Sequence, residues 1–277
     1  MASNRSSAGD PARTLELLWR QQTDSPSRRG PRQGLSVDEI VEAAIALADA
    51  EGLDAVTMRR VAQALGVAPM TLYTYVPGKA ELLDLMLDWV YRQMARTEVA
   101  EASWRARLEA VAHDNRRLFD AHPWAAAIST TRPPLGPGLM AKYEHELRAF
   151  DGTGLDDIER DAALTFLLGF VQASARAAAD ARAEKRESER SDEQWWAENA
   201  PLLGRVLDEA TYPTATRVGT AVGAAHGAAY DPDHAYDFGL QRVLDGLGVL
   251  IDRRKARRSG EEEEAEAEAE KKKKNEG

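Results

Sequence analysis

Residues 69–78 read Pro-Met-Thr-Leu-Tyr-Thr-Tyr-Val-Pro-Gly and carry hydroxyls, a thioether and aromatic rings but no carboxylate. Such a set can exchange hydrogen bonds with base edges and set a threonine methyl against a thymine methyl without repelling a phosphate backbone. Leu72 and Val76 are an i, i+4 apolar pair, so a short helix here buries them and turns Met70, Thr71, Tyr73, Thr74 and Tyr75 to the opposite face. Packing of Tyr73 and Tyr75 against a core is the competing reading.

The elements that must position this face precede and follow it. Ser36 can cap a helix whose first turn holds Asp38 and Glu39 and whose stripe is Ile40, Ala44, Leu47 and Ala48, with Gly52 as its end. Thr57 offers a second cap, Val61, Ala62 and Leu65 an inward face, and Gly66 a residue tolerant of positive φ. Pro69 suits the first turn of the short helix, where no amide donor is needed. After Pro77 and Gly78, residues 79–94 predict a longer helix with Leu82, Leu83, Met86 and Val90 on one face. The result is a three-helix unit with a tight turn before its short helix, the architecture that enters a major groove.

The run from Thr57 through Met58, Arg59, Arg60, the turn at Gly66, and Pro69-Met70-Thr71-Leu72-Tyr73-Thr74-Tyr75-Val76-Pro77-Gly78-Lys79 resembles the DNA-binding signature of the tetracycline repressor (TetR) family. The step His122-Pro123-Trp124 and the run at residues 237–247 resemble that family's tetracycline-repressor-like C-terminal domain, so the likeness extends over most of residues 34–252. The resemblance implies that Thr57 and the first amides of its helix, Met58 onward, hold a phosphate while Arg59 lies along the backbone. It implies that Pro69, Met70, Thr71 and Thr74 meet base edges and that Tyr73, Tyr75 and Lys79 clamp flanking phosphates. It further implies an all-α homodimer that binds a double-stranded DNA operator and a small-molecule effector. The pairing helices would be residues 155–187 and 232–254.

The expected organisation is a 1–34 extension, a 35–96 helix-turn-helix domain, a 97–256 helical ligand-binding and dimerisation domain, and a 257–277 charged tail. In the extension, residues 13–22 predict a short docking helix with Leu15, Leu18 and Trp19 on one face, followed by an arm with Arg28, Arg29 and Arg32 that reads equally as a minor-groove contact or a plain linker. Further helices are expected at residues 104–121, 139–150, 155–187 and 232–254, with an irregular Trp-containing stretch at 194–201. Tyr236, Leu240, Val243, Leu244, Leu247, Leu250 and Ile251 make one broad apolar face, and 173–183 is alanine-dense, a combination suited to dimerisation. Gly219, Gly223 and Gly227 read as close packing or as a mobile lid. An effector pocket needs apolar and aromatic walls, for which His113, Phe119, Trp124, Tyr143, Phe166 and Phe170 are the candidates; Met140, Trp195 and Trp196 belong to the same pool.

Other classes fit less well. The net charge of −10 includes eight Glu against four Lys in 261–277, leaving −6 elsewhere, and residues 30–80 hold four basic against six acidic side chains. DNA contact must therefore depend on where the cations stand rather than on their excess. The tail is expected to be solvated and partly helical. No cysteine is present, the five His form no HExxH, and no phosphate-cradling glycine motif occurs, so catalysis and a cofactor are not expected and no metal ligand is assigned, with metal dependence left open; His122 before Pro123 reads as a capping and packing residue. The apolar run 162–175 reads as a buried helix and not a membrane span, no secretory leader is visible, and a cytoplasmic protein is expected. The alternative is a helical interaction protein of the same fold without DNA or ligand binding.

Overall fold

The computed structural model describes residues 9–23, 34–99, 103–128, 131–188 and 190–275, with side chains as far as residue 260. The arm containing Arg28, Arg29 and Arg32 lies outside them. Among the described residues every regular element is a helix and there is no strand.

A short leading pair, α1 (Pro11–Leu18) and α2 (Arg20–Thr23), precedes α3 (Val37–Glu51), α4 (Met58–Ala64), α5 (Pro69–Tyr75) and α6 (Lys79–Gln93). Local chemistry sets these boundaries. Ser36 and Glu39 form a capping box at α3, the Glu39 amide donating to Ser36 Oγ at 3.1 Å and the Ser36 amide to Glu39 Oε2 at 2.7 Å. Thr57 Oγ1 accepts from the Arg60 amide at 3.2 Å to start α4, and Gly66 at φ 68° makes the turn into α5. Ile40, Val41, Ala44, Val61, Ala62, Leu72, Val76, Leu82 and Met86 meet in one core. Leu17 and Leu18 of α1 join it, whereas Leu15 faces solvent, unlike the sequence expectation. The inward stripe is Thr14, Leu17 and Leu18, and Thr14 can be buried because its hydroxyl donates to the Asp10 carbonyl at 2.8 Å.

The C-terminal half consists of α7 (Trp104–Ala121), α8 (Pro123–Ala127), α9 (Pro137–Arg148), α10 (Asp157–Ser188), α11 (Asp192–Val206), α12 (Pro213–His226) and α13 (Pro232–Asn275). Helix α10 packs against α7, α8, α9 and α13 through Ala163, Leu164, Leu167, Val171 and Ala175. By length and composition it is also apolar enough to cross a membrane, a test that the core helix of a soluble protein passes as well. Residues 194–201 are helical rather than irregular, because Ser191 and Gln194 form a second capping box and Pro201 is accommodated within α11. Residues 213–226 form α12 despite Gly219 and Gly223, and Gly227 at φ 65° ends it. The last helix continues to Asn275 instead of stopping near residue 254, a span of about 65 Å at 1.5 Å per residue.

Helix α6 joins the two halves. Its Asp88 carboxylate accepts hydrogen bonds from the Leu139 amide at 2.9 Å and from the Gly138 amide, so it caps α9 from outside, where Gly136 has no side chain to do so. The approach is close: a Cβ on Gly138 would lie 2.0 Å from the Asp88 carbonyl oxygen. Burial pushes the Asp88 carboxyl above the usual carboxylate range, with the two amides pulling in the other direction.

Candidate nucleic-acid interface and effector site

Helix α5 presents the face expected of a reading element. Leu72 and Val76 are fully buried, while Met70 is 73 % and Tyr73 45 % exposed. Pro69 and Thr74 are exposed and Thr71 is half-buried, with the Thr74 hydroxyl donating to the Thr71 carbonyl at 2.6 Å. Tyr75 is half-buried and leans on the core, so the packing alternative holds for it in part and not for Tyr73.

Around this face the helix-turn-helix places Thr57 and Arg59 at the surface, and Arg60 is paired with Glu51 at 2.6 Å. Lys79, at the start of α6, is half-buried and donates to the Leu53 carbonyl at 3.4 Å. The side chain of Met58 is buried. Thr57 is the cap, so Met58 takes the first helical position, and its side chain shares the inward stripe with Val61 and Ala62 at i+3 and i+4. Only its backbone remains for a contact with DNA.

The six effector-site candidates do not form one constellation. His113 and Phe170 converge on Tyr236, which the sequence reading placed only on a packing face: Tyr236 stacks on Phe170 with centroids 5.8 Å apart, and its hydroxyl is 3.5 Å from His113 Nδ1. The Arg116 guanidinium lies 4.6 Å from the Tyr236 ring centroid and is held by Asp120 and Asp233. Burial raises the Tyr236 phenol to about 12, so it is a neutral hydrogen-bonding group. The sequence reading missed Tyr236 as a site residue; the signal that would have found it is an aromatic ring with a polar tip on an otherwise aliphatic face.

The other four lie elsewhere. Phe119 is buried in the core, Phe166 is 60 % exposed on α10, and Tyr143 donates to Asp161 at 2.8 Å on the surface. Trp124 is buried and donates to Asp49 of α3 at 2.6 Å, and His122 Nδ1 lies 2.9 Å from the same carboxylate. Asp49 thus joins the head to the α7–α8 corner, and His122 is a contact between the two halves rather than a side-chain cap. A separate cleft of about 450 Å³ opens between the segment before α10 and helix α13, lined by Gly152, Gly154, Leu155, Arg160, Lys255, Arg258 and Ser259 and by no aromatic side chain.

Known proteins share both halves. Residues 40–86 match the family of bacterial regulatory proteins called tetR, and residues 98–251 match the tetracyclin repressor-like C-terminal domain. The HTH-type transcriptional repressor DrrR1 of Streptomyces coeruleorubidus is 41 % identical, covering 92 % of each chain. The tetracycline repressor protein class E of Escherichia coli is 24 % identical over 80 % of this chain and 94 % of its own. Among solved structures, the Streptomyces coelicolor TetR family protein ActR in complex with (S)-DNPA superposes with a TM-score of 0.63 at 29 % identity, covering 79 % of this chain and 99 % of ActR. ActR in complex with actinorhodin gives 0.62 at 29 % identity, with the same coverage. The chain therefore belongs to the TetR family and is a helix-turn-helix transcriptional repressor with a C-terminal domain of the tetracycline-repressor type.

Proposed function

We propose that two copies of this chain bind a near-palindromic operator through α5 and leave it when a small molecule occupies the C-terminal half. The observation that carries this reading is the exposed, carboxylate-free face of α5, anchored from behind by the fully buried Leu72 and Val76. Pro69, Met70, Thr71 and Thr74 meet base edges. Tyr73, Tyr75, Thr57 and Arg59 contact the backbone, together with Lys79, which exchanges the Leu53 carbonyl for a phosphate, and the Met58 amide. The two heads must then sit roughly 34–36 Å apart, one helical turn of DNA.

Residues 35–96 act as the head and 97–256 as the effector and dimerisation part. Pairing runs through 155–187 and 232–254, a reading supported by Ile158, Phe166, Phe238 and Val249, all exposed apolar side chains on α10 and α13. The effector sits beside Tyr236, His113 and Phe170, where stacked rings and a neutral phenol suit a flat aromatic molecule. Actinorhodin and (S)-DNPA, the ligands of ActR, are the first probes to try. Helix α6 is the lever, because it reaches from Lys79 in the head to the Asp88 contact with α9, and an effector acts only by binding one arrangement of it more tightly than the other. The work takes place in the cytoplasm, where the operator is.

Footprinting on the DNA upstream of the protein's own gene tests the head. Tyr73→Ala and Lys79→Ala each weaken operator binding by about tenfold, in the range of roughly 1–3 kcal/mol for a removed contact. Full binding by both variants would reject the assignment.

A further inference from the structure

The leading helices α1 and α2 run beside α6 and touch parts of the protein that must move relative to one another. At the start of the segment the Asp10 amide donates to Glu81 Oε1 at 3.2 Å, in the first turn of α6. Gly9 makes this approach possible, since a Cβ there would lie 2.1 Å from the same oxygen. At the other end Arg92, in the last turn of α6, donates to Gln21 Oε1 at 2.8 Å. The segment therefore spans α6 nearly end to end, with Leu17 and Leu18 buried between the two ties.

Two further contacts leave α6. Arg20 forms an ion pair with Asp38 in the first turn of α3, and Gln21 Nε2 donates to the other oxygen of that carboxylate at 3.2 Å. The Trp19 indole N–H donates to the carbonyl of Leu135 at 2.8 Å, in the segment that leads into α9. One short piece of chain thus joins the head at α3, the lever at both ends and the C-terminal half ahead of α9. The family matches cover residues 40–86 and 98–251, so this piece lies outside the architecture that they describe.

We propose that residues 10–23 are an interdomain strap that holds the head at the spacing competent for operator binding, with Trp19 and Arg20 as its positioning residues. The proposal rests on the reading of the protein as a dimeric DNA-binding regulator. Neither residue touches DNA. Each restricts the rotation of the head about α6, Arg20 from the α3 side and Trp19 from the α9 side. A strap of this kind raises affinity by removing arrangements in which the two heads do not match successive grooves, because only the competent fraction binds.

Deleting residues 1–23 would uncover the seat of Leu17 and Leu18 and could unfold the head, so the test uses Trp19→Phe with Arg20→Gln, which keeps the ring and the aliphatic stem. The chain has no cysteine, so Gln63→Cys, at an exposed position on α4, gives one spin label per protomer and one distance between heads. The expected result is a broader distance distribution in the full-length free dimer, with the thermal midpoint within a few degrees of the parent. Affinity for a duplex selected from random DNA by the unmodified protein falls by about tenfold, a typical coupling factor, with the salt slope unchanged because the phosphate contacts remain. A distribution as narrow as the parent's overturns the strap, whatever the affinity does. If the unmodified protein selects no duplex, the regulator reading fails separately and the distance measurement still decides the strap.

Discussion

Helix α6 and the pair α11–α12 are of similar length and opposite character. Ten of the fifteen residues of α6 are buried, including Glu81, Asp84 and Asp88, whereas neither α11 nor α12 buries a single one. Helix α6 is enclosed by α1, α3 and α9, so a change there must be accommodated by three neighbours at once. Helices α11 and α12 and the link between them carry exposed Trp195, Leu202, Leu203, Val206, Tyr212 and Val218, and Trp196 Nε1 comes within 3.8 Å of a Cβ placed on Gly223. The difference teaches that the packing of α6 is already specified within a single copy of the chain. Among the described residues the α11–α12 pair has no such support, with a single capping box at the start of α11 and the Gly227 turn at the end of α12.

The sharpest way to break this comparison is Gly138→Ala. The new methyl group would meet the backbone of Asp88 at 2.0 Å and the Arg92 nitrogen at 3.0 Å, and neither belongs to a flexible side chain. We expect a loss of about 3 kcal/mol in urea unfolding, the upper part of the usual range for overpacking. An unchanged midpoint would mean that α6 and α9 separate easily and that the lever is not tightly held.

Asp88 gives the next effect. Asp88→Ala leaves the start of α9 without its acceptor and costs about 1–2 kcal/mol, comparable to the loss of a helix cap. Asp88→Asn keeps an acceptor and removes a buried charge, so it is neutral or stabilising at pH 7. The carboxyl is raised by burial in the fold, so the folded state binds the proton more tightly than the unfolded chain. Wild type therefore gains stability relative to the asparagine variant as pH falls through the raised value toward the ordinary carboxylate range, and loses it as pH rises. Parallel pH profiles for the two proteins would contradict the burial of the charged form.

The smallest expected effect belongs to α11. Leu203→Ala changes the unfolding free energy by less than about 0.5 kcal/mol, as at most surface sites, because Leu203 is exposed. A loss above about 2 kcal/mol would show that this side chain is buried in the working assembly, since that is the scale of a buried leucine truncation.

Signals that act within one turn of helix were legible from the residues alone. The caps at Ser36 and Thr57, the turn at Gly66 and the opening of α5 at Pro69 depend on neighbours three or four positions away, and all four stand where the spacing puts them. The capping box of Ser191 and Gln194 is equally local and marks the start of α11, although Pro201 inside the helix is ordinarily a helix breaker. The exposed face of α5 followed from the spacing of Leu72 and Val76, which a helix of that length can bury in only one direction.

Contacts between residues far apart in sequence were not legible. Asp49 and Trp124 are 75 positions apart, Asp88 and Leu139 51, and Trp19 and Leu135 116. Nothing in the pattern around any of these residues names its partner, since a carboxylate or an indole serves a surface as well as an interface. The same limit governed the effector candidates, where aromatic type was visible but convergence on Tyr236 required the crossing of α7, α10 and α13. The sequence by itself determined α3 to α6, the residues that start them and which face of α5 is left open, because helix caps and periodicity are short-range. The tertiary structure alone decided that Met58 turns inward, that Asp88 caps a helix other than its own and that residues 10–23 bind three parts together, because each depends on which surfaces meet when the helices pack.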